Sequence, residues 1–304
     1  PPPPPRPWDA FFRVARGEYF KPMCADDLMR CNCLEILLTF LDSNQNVAGV
    51  FGNMEFINEE GFYKGQNWFD FKNINSSMNL LALFIDGVST LPYPAALIRM
   101  EEMRKNKYDK VIFGMIDMCV WIQILARGLQ LKLLRYNVID YRIHPGQISS
   151  SSKYKEIYRR SNFEAIFFYE YFFKLNLENL KKILPYDPFV LDTNEEKFKD
   201  FVLAHNFMQS TIKQKMLAGI FKIKEILNDD KLRVDIERKY NYGIKEFREF
   251  YSNADIYDFS YKSLQEIKTS ELITALRRQL RSKIKSIFKR RSKGNSVTYE
   301  SSII

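Results

Sequence analysis

Several things are scarce or missing in this 304-residue chain, and each absence removes a class of function. There are four cysteines, Cys24, Cys31, Cys33 and Cys119, and the one-residue spacing of Cys31 and Cys33 fits no common zinc pattern. They read as small core residues of a reducing compartment. No secretory leader is visible at the start. The longest apolar run, 111–126, is shorter than the roughly 20 residues a spanning helix needs, and Asp117 interrupts it. The expectation is a cytoplasmic protein, soluble or peripheral at the inner face of a membrane. No internal repeat of solenoid length stands out.

Net basic charge is almost absent outside one segment. The formal net charge is +9, yet Arg277, Arg278, Arg281, Lys283, Lys285, Lys289, Arg290, Arg291 and Lys293 carry nine positive charges with no acid among them. The remainder is near neutral. It lacks the spread of basic residues and interleaved aromatic platforms that follow a nucleic acid, so no nucleic-acid partner is expected.

What is present is a hydrophobic content of 46%, with 15% aromatics, enough for a sizeable core. Pro1 to Pro5 form an extended run, and Trp8, Phe11, Phe12 and Ala15 recur at helical spacing up to a stop at Gly17. Residues 19–23 read as a brief extended segment that delivers Asp26 and Asp27 at its end. The stripe Cys33, Leu34, Leu37, Leu38, Leu41 predicts a helix, and 47–51 a strand. Further on, the pattern predicts a helix around 80–85, a strand at 95–98, an apolar helix over 116–125, and two strands at 131–134 and 138–141. Alternation of this kind argues for a layered α/β domain with its functional groups at the carboxyl edge of the sheet. After Ser149 to Ser152 the character turns helical, with long patterns at 163–184 and 197–227. Three regions are therefore expected: an α/β domain over 1–150, a helical region over 151–270, and a basic amphipathic helix and tail over 271–304.

Adjacent acids at a strand end suit Mg²⁺ or Mn²⁺, which prefer oxygen ligands and share them with phosphates. The competing reading of Asp26 and Asp27 is an N-terminal helix cap. Asp117 within an apolar helix is a costly charge unless it is paired or serves a site.

The order of motifs resembles the middle of family 2 glycosyltransferases, enzymes of the GT-A fold. The residues that carry the likeness are Arg16 to Phe20, Ala25 to Asp27, Cys33 to Glu35, the run from Asn46 to Gly61, Ala96 to Arg99, Asp117 through Trp121 to Gly128, and Tyr141 to His144. Together they cover about 130 residues, Arg16 to Ser149. The resemblance implies a GT-A-like αβα domain lacking its first βαβ unit, an N-terminally truncated enzyme, and an inverting transfer of sugar from a nucleotide-sugar donor to a saccharide or lipid-linked acceptor in surface polysaccharide synthesis. It implies Asp117 as catalytic base, Asp26 and His144 at the metal, Asp27 and Arg142 at the donor diphosphate, and Arg99 on the acceptor side. His144 beside Pro145 also reads as a structural residue, and Arg142 as the partner of a carboxylate.

The chain departs from the family pattern at Cys24, where the first acid of the metal triplet belongs, and at Ile116, Cys119 and Gln123. Those losses suit an alternative, a catalytically inactive GT-A-like assembly or membrane-tethering protein. In the tail, Leu272, Ile273, Leu276, Leu280, Ile284, Ile287 and Phe288 share one helix face. That face fits an anionic membrane surface through 272–293, or packing on the chain's own domain.

Overall fold

The computed structural model describes residues 11–12, 14–66, 76–87, 91–147 and 155–254. The proline run, the serine cluster and the basic tail with its apolar stripe lie outside the described residues. Two compact units divide between Gly243 and Ile244. In the second, the described part is one helix, Ile244–Asn253.

Phe11, Phe12 and Val14 are helical, as the aromatic spacing before Gly17 predicts. Six strands follow: β1 (Tyr19–Phe20), β2 (Leu28–Met29), β3 (Val47–Ile57), β4 (Tyr63–Gln66), β5 (Ala96–Arg99) and β6 (Gln130–Arg142). They form one sheet in the order β1-β5-β3-β6-β2, with β4 also pairing with β3. The central pair β3 and β6 is parallel, and the other pairings are antiparallel. Four helices belong to this layer: α1 (Cys33–Ser43), α2 (Ser77–Ile85), α3 (Met100–Arg104) and α4 (Ile116–Ala126).

The sequence stripe decides how α1 docks. Cys33, Leu37 and Leu41 lie four residues apart on one face, are fully buried, and pack with Val47, Val50 and Met54 of β3, Leu97 of β5 and Val138 of β6. Burying each leucine is worth roughly 1.5–3 kcal/mol. Phe51, the next residue along β3, turns to the opposite face and meets the Trp121 ring of α4 edge-on at 5.1 Å. Both faces of the sheet are thus covered, which explains why Met118 to Leu125 of α4 are all buried.

Two expectations change in detail. The brief strand expected over 19–23 pairs only at Tyr19 and Phe20, because Pro22 cannot donate to a ladder. The two strands expected between 131 and 141 are one strand, β6. Its register with β3 slips between Leu133 and Asn137, where two extra residues bulge out.

The helical region contains α5 (Lys155–Glu170), a tighter turn over Tyr171–Lys174, α6 (Leu177–Ile183), α7 (Pro188–Asp192), α8 (Lys199–Met208), α9 (Lys213–Leu227) and α10 (Asp230–Tyr240). The long helical patterns are interrupted by local polar chemistry. Asn176 accepts the Asn179 N–H and starts α6, and Ser210 accepts the Ile212 N–H between α8 and α9. Gly219 lets α9 approach α8 closely, since a Cβ there would stand 2.6 Å from the Ala204 carbonyl oxygen. The chain is an α/β domain followed by helices. Among the described residues no helix is long and apolar enough to cross a membrane.

Candidate active site

Strand register assembles the site. Parallel pairing sets Arg142 at the end of β6 opposite Ile57 at the end of β3, and β2 pairs Leu28 with Asp140. The turn just before Leu28, holding Asp26 and Asp27, is thereby laid against the carboxyl ends of the two central strands. The acids do not cap a helix: α1 begins at Cys33 with Asn32 as its N-cap.

Arg142 ties this turn down. Its backbone N–H donates to Asp27 Oδ1 at 2.9 Å, its Nε donates to the Asp26 carbonyl at 2.9 Å, and its Nη1 donates to the Asn58 and Glu59 carbonyls at 2.9 and 2.6 Å. Its Nη2 makes no hydrogen bond among the described residues. Gln147 in turn donates to the Arg142 carbonyl at 2.8 Å.

His144 Nε2 lies 2.9 Å from Asp26 Oδ2, and the Gly146 N–H donates to its Nδ1 at 3.2 Å. An Nδ1 that accepts a hydrogen bond leaves the proton of the neutral ring on Nε2. In this arrangement His144 donates to Asp26 and orients its carboxylate.

Asp27 is 6% exposed, and its Oδ2 is buried without a hydrogen-bond partner. The Cys24 thiol stands close enough to favour the charged form of Asp27, but no hydrogen bond reaches Oδ2. Burial raises the Asp27 pKa above the ordinary carboxylate value, opposed by the Arg142 N–H and reinforced by the Asp26 charge. One ligand atom each from Cys24, Asp26 and Asp27 falls within 4.8 Å of the others. A buried carboxylate oxygen with nothing to bind, beside a second carboxylate and a thiol, fits a divalent cation.

Asp117 lies in the first turn of α4, where its Oδ1 accepts the Met118 N–H at 2.8 Å. A helix N-terminus favours a carboxylate. Burial outweighs it: the residue keeps only partial solvent access, and the protein packed around the carboxyl pushes its pKa up to about 6. The Asp117 charge is felt by Cys24, whose thiol is pushed up to about 12 chiefly by burial, and by Tyr93. Asp117 therefore shares a neighbourhood with the cluster at Cys24. The loop before α4 is pinned from the helical region, because the Gly114 N–H donates to Glu164 Oε2 at 2.6 Å.

Arg99 stands elsewhere. Its guanidinium donates to the Val47, Leu41 and Asn44 carbonyls at 3.0, 2.7 and 3.3 Å, closing the end of α1 beside the start of β3. Arg142 lies opposite the other end of β3, roughly 30 Å away along the strand. Gln123 exchanges hydrogen bonds with the Lys107 backbone at 3.0 Å in both directions.

The structure thus brings Asp26, Asp27, Arg142 and His144 together, sets Asp117 within electrostatic reach, and leaves Arg99 apart. Sequence reading placed Cys24 where the first acid of the metal triplet belongs but took its thiol only as a small core residue and a lost acid. It missed Lys21, whose half-buried ammonium donates to the Pro22 and Pro94 carbonyls within reach of Cys24 and Asp27. Glu164 lies 50 residues from Gly114, and no local pattern marks it.

No known family model matches the chain. Over 130 residues it is 24% identical to an uncharacterized glycosyltransferase of Methanocaldococcus jannaschii. The likeness spans 43% of this chain and 43% of that protein.

Proposed function

We propose that the chain carries the active site of an inverting, cation-dependent glycosyltransferase of the GT-A type, acting on a nucleotide-sugar donor and a saccharide or lipid-linked acceptor hydroxyl. The observation that carries this reading is the buried, unpartnered Asp27 Oδ2 clustered with Asp26, with the desolvated Asp117 close by. The archaeal relative supports transfer of a sugar.

Asp117 removes the acceptor proton, as a carboxylate poised near neutral pH does efficiently. The freed oxygen attacks the anomeric carbon from the face opposite the diphosphate. The new C–O bond forms as the bond to the nucleoside diphosphate breaks, and the configuration inverts. Asp26 and Asp27 would hold Mg²⁺ or Mn²⁺, which supplies positive charge for the departing diphosphate. His144 fixes the Asp26 carboxylate, and Arg142 holds the turn while its Nη2 makes no hydrogen bond among the described residues. Surface polysaccharide synthesis is the setting the resemblance suggests.

The test is donor turnover with a panel of nucleotide sugars and Mn²⁺, comparing the parent chain with Asp117→Asn and Asp26→Asn. Transfer or hydrolysis by the parent, lost in both variants, is the expected result. Failure of every donor, in protein that still binds cation, overturns the catalytic reading and leaves a cation-binding protein on the same fold.

A further inference from the structure

We propose that Cys24 is itself a ligand of the cation held by Asp26 and Asp27, so that this site prefers a thiophilic divalent ion such as Mn²⁺, Co²⁺ or Zn²⁺ over Mg²⁺. The inference rests on the cation-site reading above and deepens it. The Cys24 sulfur and one oxygen from each acid lie within 4.8 Å of one another, a spread that one ion can bridge with small side-chain movements. The buried Asp27 Oδ2 provides the independent sign that something is bound here: among the described residues no hydrogen bond reaches it, and the nearest donor is the Cys24 thiol, the group proposed to share the ion. Cys24 is partly accessible, so an ion can arrive from solvent.

Hard Mg²⁺ gains little from sulfur, whereas affinity for a thiolate rises through Mn²⁺ and Co²⁺ to Zn²⁺. On binding, the S–H bond breaks, the proton leaves to water, and a sulfur–metal bond forms. A coordinated thiol is deprotonated outright. Three negative ligands around a divalent ion leave one surplus negative charge, which the Lys21 ammonium is placed to offset, within electrostatic reach of both Cys24 and Asp27. Cys24 thus supplies at this position the negative ligand that an acid would otherwise give.

The test is anaerobic titration of the intact chain with Co²⁺, reading the near-ultraviolet thiolate-to-cobalt charge-transfer band, with cation affinity followed separately by Mn²⁺ electron paramagnetic resonance. The band is expected in the parent and in Cys31→Ser, which removes an exposed thiol, and is expected to vanish in Cys24→Ser. Cys24→Ser should weaken Mn²⁺ at least about tenfold, with a smaller change for Mg²⁺. Cys24→Asp should lose the band and shift the preference toward Mg²⁺.

Bound cation without a band in the parent overturns the Cys24 assignment and leaves the carboxylate site standing. A band that survives Cys24→Ser does the same. No cation binding by the parent overturns both the assignment and the cation-dependent reading. If Cys24→Ser fails to fold, the parent band and Cys24→Asp still decide the matter.

Discussion

The chain's two histidines sit in regions built on opposite plans. His205 in α8 is packed among Phe189, Phe201 and Tyr242, with ring centroids 4.4 to 6.1 Å away, and burial lowers its pKa. Around it the polar groups satisfy one another. Asp187 starts α7 by accepting the Val190 N–H at 3.0 Å and takes Asn206 Nδ2 at 2.7 Å, while Thr193 bonds to the Phe189 carbonyl and to the Tyr240 hydroxyl. His144, at the sheet edge, faces a carboxylate beside another whose oxygen has no partner. Buried polar groups are normally matched, because leaving one unmatched costs about 1–3 kcal/mol. Among the described residues three buried side-chain atoms go unmatched: Arg160 Nε in the helical region, Trp121 Nε1 in α4, and Asp27 Oδ2 at the sheet edge. Only the last is a carboxylate oxygen set beside a second carboxylate and a thiol, where a cation would restore the match.

The widest separation between the two regions is expected from Asp117→Asn. Removing a general base should lower turnover about 10²- to 10⁴-fold while the far-ultraviolet circular dichroism stays that of the parent. In the parent, kcat/KM should rise with pH through about 6, the Asp117 value, and then level off. A variant that keeps parental turnover would remove Asp117 from the chemistry.

Phe207→Ala should do the reverse. Phe207 is fully buried and meets the rings of Tyr169, Phe172 and Phe173 at 5.5, 6.2 and 5.6 Å. Its truncation should cost about 3–5 kcal/mol in urea unfolding, with Mn²⁺ affinity of the folded variant unchanged. Loss of cation affinity in protein shown to be folded would mean that the two regions are not independent.

Much of the framework is legible in the sequence because it depends on local period. The Cys33 to Leu41 stripe, the β-rich 47–51 run and the apolar 116–125 segment each form the expected element. The bulge in β6 is not legible, since register is decided by the partner strand. The helical region reads as longer helices than it has, because Asn176 and Ser210 stop them through single side-chain bonds. At the site, the types and order of Asp26, Asp27, Arg142 and His144 are visible in the chain. Their roles are not. Whether Arg142 meets a carboxylate or a carbonyl, and whether Arg99 is near or far, follows only from which strand ends meet.

Asp117 also predicts how much stability its region gives up. Its folded pKa of about 6 lies above the unfolded value of 3.8. Between those pH values the folded chain holds a proton that the unfolded chain has lost. Stability therefore falls as pH rises from about 4 to about 6 and is flat above. The loss is on the order of 2 kcal/mol, allowing for the partial access of the residue to water. Asp117→Asn should erase this slope: urea midpoints of parent and variant should agree near pH 4, with the variant the more stable at pH 7. A variant less stable at pH 7 would show that Asp117 is a structurally paired acid.

The smallest effect is expected on the exposed side of the helical region, where ion pairs are numerous. Lys197 Nζ lies 2.8 Å from Asp235 Oδ2 and 3.4 Å from Glu195 Oε2, but these side chains remain largely open to solvent. Water and salt screen such pairs, and holding two long side chains in one geometry opposes the remaining attraction. Asp235→Asn should therefore leave the urea midpoint unchanged within error at physiological ionic strength, and raising the salt should not separate it from the parent. A clear destabilisation would mean that the helical region draws on its surface charges as well as on the aromatic interior around Phe201 and Phe207, and polar matching would then have to be counted on its surface as it is at the sheet edge.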